Sequence, residues 1–268
     1  MAYTTINKSS LHMNTKLYTG DGATSNAITG VGFQPDFVWL KNRSATAGHQ
    51  LSDAVRGKSG TNYYSLSSDT TAAQAVQGDN DGLNTLGSDG FTVGYTNSTG
   101  WNNSGSNYAS WNWKANGAGS ANTDGTVNST VSANTTAGFS IVKYTGTGTN
   151  SDTVGHGLGT TPSMIIAKGL DSREWYVQHQ AISSGTLNLE STGAATTNFS
   201  SGWINESPTS SVFSFTVGSG GTTNNVNNSG TDFIAYCFAE KRGFSKFGNY
   251  APNGNADGNF IYTGMSPS

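Results

Sequence analysis

The side chains of this chain that could carry acid–base or metal chemistry are few and stand apart. Four histidines, His12, His49, His156 and His179, are scattered, and no two have the spacing that sets metal ligands on one face. His49 with Asp53, and His179 with Glu174, are the combinations that could join a general base to an orienting carboxylate. Both lie in ordinary strand sequence, Gln50-Leu51-Ser52 and Tyr176-Val177-Gln178, so a structural role is expected and no catalytic residue is assigned. There is no Gly-Xaa-Ser-Xaa-Gly elbow ahead of a helix and no complete phosphate-binding loop. A paired-carboxylate glycosidase carries its acids on separate strands, so spacing alone leaves that chemistry open. Asp79-Asn80-Asp81-Gly82 alternates carboxylates ahead of a glycine as calcium loops do, but it lacks the distal Glu and reads as a turn. No cofactor or metal site is expected.

Two tryptophans could do recognition chemistry. Trp101, between Gly100 and Asn102-Asn103, and Trp203, between Gly202 and Ile204-Asn205, sit in polar surroundings. An indole ringed by amides and hydroxyls offers a sugar a flat apolar face with hydrogen-bonding groups around it. Trp101 and Trp203 are therefore the candidate ligand-binding residues, against the plainer reading that each caps the end of its domain or packs on a neighbouring subunit. Trp39, Trp111, Trp113 and Trp175 fall in strand patterns and read as core. Cys237, the single cysteine, lies in an apolar run and reads as a small buried hydrophobe. Asn97-Ser98-Thr99 and Asn128-Ser129-Thr130 fit glycosylation acceptors but are expected by chance in so polar a chain.

The elements that would position these residues are written twice. Lys16-Leu17-Tyr18-Thr19-Gly20, Pro35 to Lys41, Phe91-Thr92-Val93-Gly94 and Tyr108 to Trp113 are answered by Val142-Lys143-Tyr144-Thr145-Gly146, Pro162 to Lys168, Phe215-Thr216-Val217-Gly218 and Phe233 to Phe238. Tyr18 precedes Pro35 by 17 residues and Tyr144 precedes Pro162 by 18; Phe91 precedes Tyr108 by 17 and Phe215 precedes Phe233 by 18. A third copy opens at Phe244, with Tyr250 lying 17 residues ahead of Pro267, and stops where another core strand is due. Such tandem units point to a building or binding part.

Helix signals are poor, because Gly or Asn interrupts almost every window and no Glu occurs before Glu174. Strand signals are good. Phe37-Val38-Trp39-Leu40 and Met164-Ile165-Ile166-Ala167 are apolar on both alternating faces, as in a strand covered on both sides. Trp111 with Trp113, and Tyr236 with Phe238, put aromatics on one face, as expected of strands feeding a sandwich core. The expected fold is all-β: two tandem antiparallel β-sandwiches, jelly-roll-like, plus a truncated third repeat. The expected boundaries are a polar lead at 1–16, repeat 1 at 17–116, a Gly/Ser/Thr/Asn linker at 117–137, repeat 2 at 138–242 and the incomplete repeat at 243–268.

Hydrophobic residues are 34% of the chain and the 36 glycines bring the apolar share to 47%, inside the globular range of about 45–50%. Charged residues are only 11%, so Ser, Thr, Asn and Gly must hold the surface water. A net charge of −3 without basic clusters argues against nucleic acid as a partner. The start lacks the basic and apolar parts of a signal peptide, and no apolar run approaches bilayer length, so membrane insertion is not expected.

The phrases Asn14 to Gly20 leading to Gly32-Phe33-Gln34-Pro35-Asp36-Phe37-Val38-Trp39-Leu40-Lys41-Asn42-Arg43-Ser44, and Gly243-Phe244-Ser245-Lys246-Phe247-Gly248 leading to Tyr262-Thr263-Gly264, resemble repeated units of structural proteins of marine tailed bacteriophages. The resemblance implies a non-enzymatic virion component, made in the host cytoplasm and carried as a fibre, tail appendage or capsid decoration. Its expected partners are other virion proteins, further copies of itself (a trimer for preference) and host surface glycans. A bacterial carbohydrate-binding module or adhesin, resting on Trp101 and Trp203, is the alternative.

Overall fold

The computed structural model describes residues 4–97 and 100–265. Repeat 1 contains β1 (Met13–Thr19), β2 (Asn26–Thr29), β3 (Phe37–Asn42), β4 (Gln50–Asp53), the short β5 (Lys58–Ser59) and β6 (Asn62–Tyr63), β7 (Leu83–Gly87), β8 (Gly90–Val93) and β9 (Asn107–Trp113). Its two facing sheets run β1-β9-β3-β4 and β2-β8-β7. Repeat 2 contains β10 (Ser120–Asn122), β11 (Ser129–Asn134), β12 (Phe139–Thr145), β13 (Thr153–Gly155), β14 (Met164–Gly169), β15 (Trp175–His179), β16 (Leu187–Asn188), β17 (Trp203–Ile204), β18 (Val212–Thr216) and β19 (Asp232–Phe238). Within its sheets β12-β19-β14-β15 reproduces the order of β1-β9-β3-β4, and β13-β18-β17 that of β2-β8-β7. The duplicated phrases are thus duplicated topology: two antiparallel β-sandwiches in tandem.

Pairing explains why the phrases recur. β1 lies beside β9 and β12 beside β19, setting Tyr18 opposite Tyr108 and Tyr144 opposite Phe233. Those rings stack at 4.9 Å and 5.2 Å between centroids. The two phenols donate to carbonyls across the end of each sandwich, Tyr18 to Trp101 O at 2.6 Å and Tyr144 to Val226 O at 2.7 Å. Gly20 and Gly146 follow because backbone passes there: a Cβ would stand 2.3 Å from Asn103 O or from Asn228 O.

Apolar side chains form three layers. Val38, Leu40, Tyr108 and Phe91 fill repeat 1, and Ile165, Ala167, Phe233 and Phe213 fill repeat 2. The third layer lies between the sandwiches, where Phe37, Leu51 and Leu66 meet Ile166, Trp175 and Tyr236. Trp39 and Ile166, matched in sequence, belong to this same layer. Hence β3 and β14 are apolar on both sides: one face serves its own sandwich, the other the joint. The aromatics Trp113, Tyr236 and Phe238 also lie on the joint side; Ser110, Asn112, Ala235 and Cys237 are what β9 and β19 turn inward. A two-residue period shows that residues share a face but not which face.

The boundaries differ from those expected. Met13 to Lys16 are part of β1, paired with Trp113 to Ser110, so the polar lead ends earlier; polar side chains suffice on an edge strand with one open face. Residues 117–137 are not a linker. β11 pairs along β12 and carries β10 outside it, extending the second sheet to seven strands. Backbone hydrogen bonds plus the buried Val127 and Val131 hold this cover in place, which composition alone does not reveal. Beyond repeat 2, a bridge between Lys241 and Ser245 is followed by irregular chain through Met265, so Phe244 to Met265 add no strand to repeat 2.

Candidate functional site

The histidine pairs do not assemble. His49 Nδ1 accepts from Trp39 Nε1 at 2.8 Å, while the Asp53 carboxylate is taken by Arg56 and Tyr236. His179 Nδ1 accepts from Ala181 N at 3.1 Å, whereas Glu174 accepts from the Tyr176 hydroxyl at 2.7 Å. His156 is buried, Nδ1 accepting from Leu158 N and Nε2 donating to Thr209 O; burial lowers its pKa and keeps the ring neutral. His12 contacts Asn134 and sets its ring against Phe244, 6.1 Å between centroids. Asp81 is buried and accepts from the backbone of Thr96 and Asn97, and Asn80 has φ 58°, so Asp79 to Gly82 form a turn. Among the described residues no group of three or more His, Cys, Asp or Glu side chains could hold a metal. Cys237 is buried and burial pushes its thiol up to about 12, which suits an unreactive core residue.

The two tryptophans proposed as sugar platforms are core residues. Trp101 is 1% exposed and packs within repeat 1; Trp203 is 6% exposed, packs within repeat 2, and donates Nε1 to Glu206 at 2.8 Å. Trp101 occupies the place that Val226 takes in the second repeat, each directly before an asparagine that braces the corner. Asn102 donates to Asp21 Oδ1 and Ala23 O, and Asn227 donates to Thr149 O. Sequence reasoning missed this pair, although Asn102-Asn103-Ser104-Gly105 and Asn227-Asn228-Ser229-Gly230 repeat letter for letter, each six residues ahead of the stacked aromatic. Asn97 is described but Ser98 and Thr99 of that acceptor triplet lie outside the described residues.

What the structure does bring together sits at the joint. Arg56 Nε lies 2.5 Å from Asp53 Oδ2, and both side chains are fully buried. Tyr236, from the other repeat, donates to the same carboxylate oxygen at 2.8 Å. Burial pushes the Tyr236 phenol well above its ordinary range, so it remains a donor. Phe37 stacks on the Tyr236 ring at 4.3 Å. Trp175, fully buried, donates Nε1 to Ser67 O at 2.9 Å and to Thr70 O at 3.2 Å, binding repeat 2 to the long loop of repeat 1. Nearby Lys168 is buried, its ammonium donating to Gly169 O and Asp171 O; burial lowers its pKa from 10.5 to about 8.

At one end the joint opens into a cavity of about 290 Å³, walled by Trp39, Trp113, Met164, Ile166, Phe238 and Phe247 among others. Its lining is nearly all apolar, with hydroxyls from Ser9 and Ser245. Such a cleft lacks the ring of amides and carboxylates that orients a sugar, and suits an apolar side chain better.

The chain belongs to the family described as "Domain of unknown function (DUF7483)", which matches residues 8–268 and so takes in both repeats and the segment after them. Comparisons with curated proteins and with solved structures found no match.

Proposed function

We propose that the chain is a non-enzymatic structural part of a tailed-phage particle, displayed as a fibre, tail appendage or capsid decoration. One observation carries this reading: the two sandwiches are joined by a continuous apolar layer, with an ion pair of one repeat and a phenol of the other buried inside it. Domains that must move around a substrate share smaller, more polar contacts. A body fixed in this way is suited to bear load and hold surfaces at set distances, while its Ser, Thr, Asn and Gly loops face water or a host.

Glycan contact, if part of this role, needs residues other than Trp101 and Trp203, and substituting either would test folding rather than binding. Electron microscopy of purified particles labelled with an antibody to the chain tests the proposal. Label on tail or head is the expected result; particles that lack the chain would overturn it, as would release of reducing sugar from a host polysaccharide by the purified protein.

A further inference from the structure

Among the described residues the longest free sheet edge is that of β1. In the second repeat the matching strand, β12, is covered by β11 in antiparallel register, Val131 opposite Val142 and Thr130 opposite Lys143. In the first repeat β1 pairs with β9 alone, and among the described residues no strand lies on its other side. The remaining outer strands of the large sheets are two to four residues long, against seven for β1, and β4 is shielded by the bridge from Leu51 to Leu66. Natural edges of this length are blunted by proline, a bulge or an outward lysine. Met13 to Thr19 has neither proline nor bulge, and the Lys16 ammonium reaches back toward Gly30 and Asp89. Leu17, in the middle of the strand, is 62% exposed.

A strand for this edge exists elsewhere in the chain. Phe260-Ile261-Tyr262-Thr263-Gly264 repeats the phrase that opens both sandwiches, Leu17-Tyr18-Thr19-Gly20 and Lys143-Tyr144-Thr145-Gly146. In both sandwiches its tyrosine is stacked on the facing aromatic ring, whereas here Phe260 is 89%, Ile261 50% and Tyr262 78% exposed. The run is β-branched and aromatic, free of charge, and lies in no strand. Its base rests on its own chain, where Tyr262, Thr263 and Gly264 border Glu240, Arg242 and Lys246, so the apolar side chains are held outward.

We propose that Phe260 to Thr263 of one copy adds as an antiparallel strand to the free edge of β1 in a second copy, taking there the place that β11 takes on β12. Backbone hydrogen bonds supply the attachment and Leu17 the apolar contact for the added strand. The contact is heterologous, segment on one side and edge on the other, so copies join head to tail. This holds wherever the protein acts and does not rest on the particle reading.

Sedimentation of the full chain over a range of concentrations tests it. The expected result is mass growing in steps of 27.8 kDa, collapsing to a single chain in the double variant Ile261→Asp, Tyr262→Asp, whose substituted positions are exposed and leave the fold untouched. Oxidative cross-linking places the contact: an equal mixture of Leu17→Cys chains and Ile261→Cys chains should give a disulfide-linked pair, with the buried Cys237 silent. A single-chain mass at every concentration would overturn the inference. So would an oligomer indifferent to the two aspartates, or a mixture that yields no disulfide between the Leu17→Cys and Ile261→Cys chains.

Discussion

The two repeats share one topology but differ in how much they can stand on. Repeat 2 sets Val142, Ala235 and Cys237 against one another, with only Ser140 polar beside them on these strands, and covers its first edge with β11. Repeat 1 has Lys16, Ser110 and Asn112 at those positions and leaves β1 open. Asn112 is fully buried and donates to Asn14 O at 3.0 Å and to Ser110 Oγ at 3.0 Å, while its Oδ1 has no partner. A sandwich with so polar an inner sheet draws less stability from its own core. The joint makes up the difference: Phe37 and Leu51 of repeat 1, buried against repeat 2, each bring roughly 1.5–3 kcal/mol. The comparison teaches that the first repeat leans on the second, and that the two should unfold together.

The largest test of that dependence is Asp53→Ala. It leaves the Arg56 guanidinium buried without its carboxylate and takes the acceptor from Tyr236, so a loss of about 3–5 kcal/mol is expected in urea unfolding. Wild type should melt in one transition, and two separate transitions in the wild-type chain would show that the repeats are independent.

Lys168 sharpens the other side of the joint through pH. Its ammonium stays protonated up to about 10.5 in the unfolded chain but only to about 8 when folded, so the cost of burying the charge is complete below pH 8. Between those values folding releases a proton and stability rises with pH. The stability lead of Lys168→Met over wild type should therefore shrink by about 3 kcal/mol on going from pH 7 to 10.5. A lead that stays flat over that range would remove the buried-charge account.

Exchanging the inner residues of the last strands tests the polarity difference itself. Cys237→Asn sets an amide among Val142, Ile165 and Ala235 and is expected to cost about 1–3 kcal/mol, while Asn112→Cys removes an unsatisfied oxygen and should change thermal stability far less. Equal losses would mean that the interiors are alike after all. The smallest effect is expected where the repeats agree most: Tyr18→Phe and Tyr144→Phe each delete one phenol-to-carbonyl hydrogen bond, and each should lower stability by about 1 kcal/mol. A several-fold difference between them would show that the shared corner serves the two repeats differently.

Much of this was legible in the residues because spacing records topology. Phrases 17 or 18 residues apart could be read as strands of one fold twice over, and β3 and β14 declared two covered faces by being apolar throughout. The joint was hidden, since alternation in Trp111 to Trp113 and Tyr236 to Phe238 is identical whether the aromatics face inward or outward. β11 was hidden because Ser129-Thr130-Val131-Ser132 binds through backbone groups that every sequence has. Trp101 misled because its neighbours along the chain are polar while its neighbours in space, Phe91, Val93 and Leu83, are not. The histidine pairs failed because nearness in sequence on a strand says nothing of partners on the next one, where Arg56 and Tyr236 claim Asp53.

His12 lies against Phe244, just before the first strand of the paired body and just after its last. The segments that enter and leave the paired body therefore meet at a single corner. A body mounted by both flanking segments would be held at one point, its two sandwiches braced against each other by the apolar layer between them.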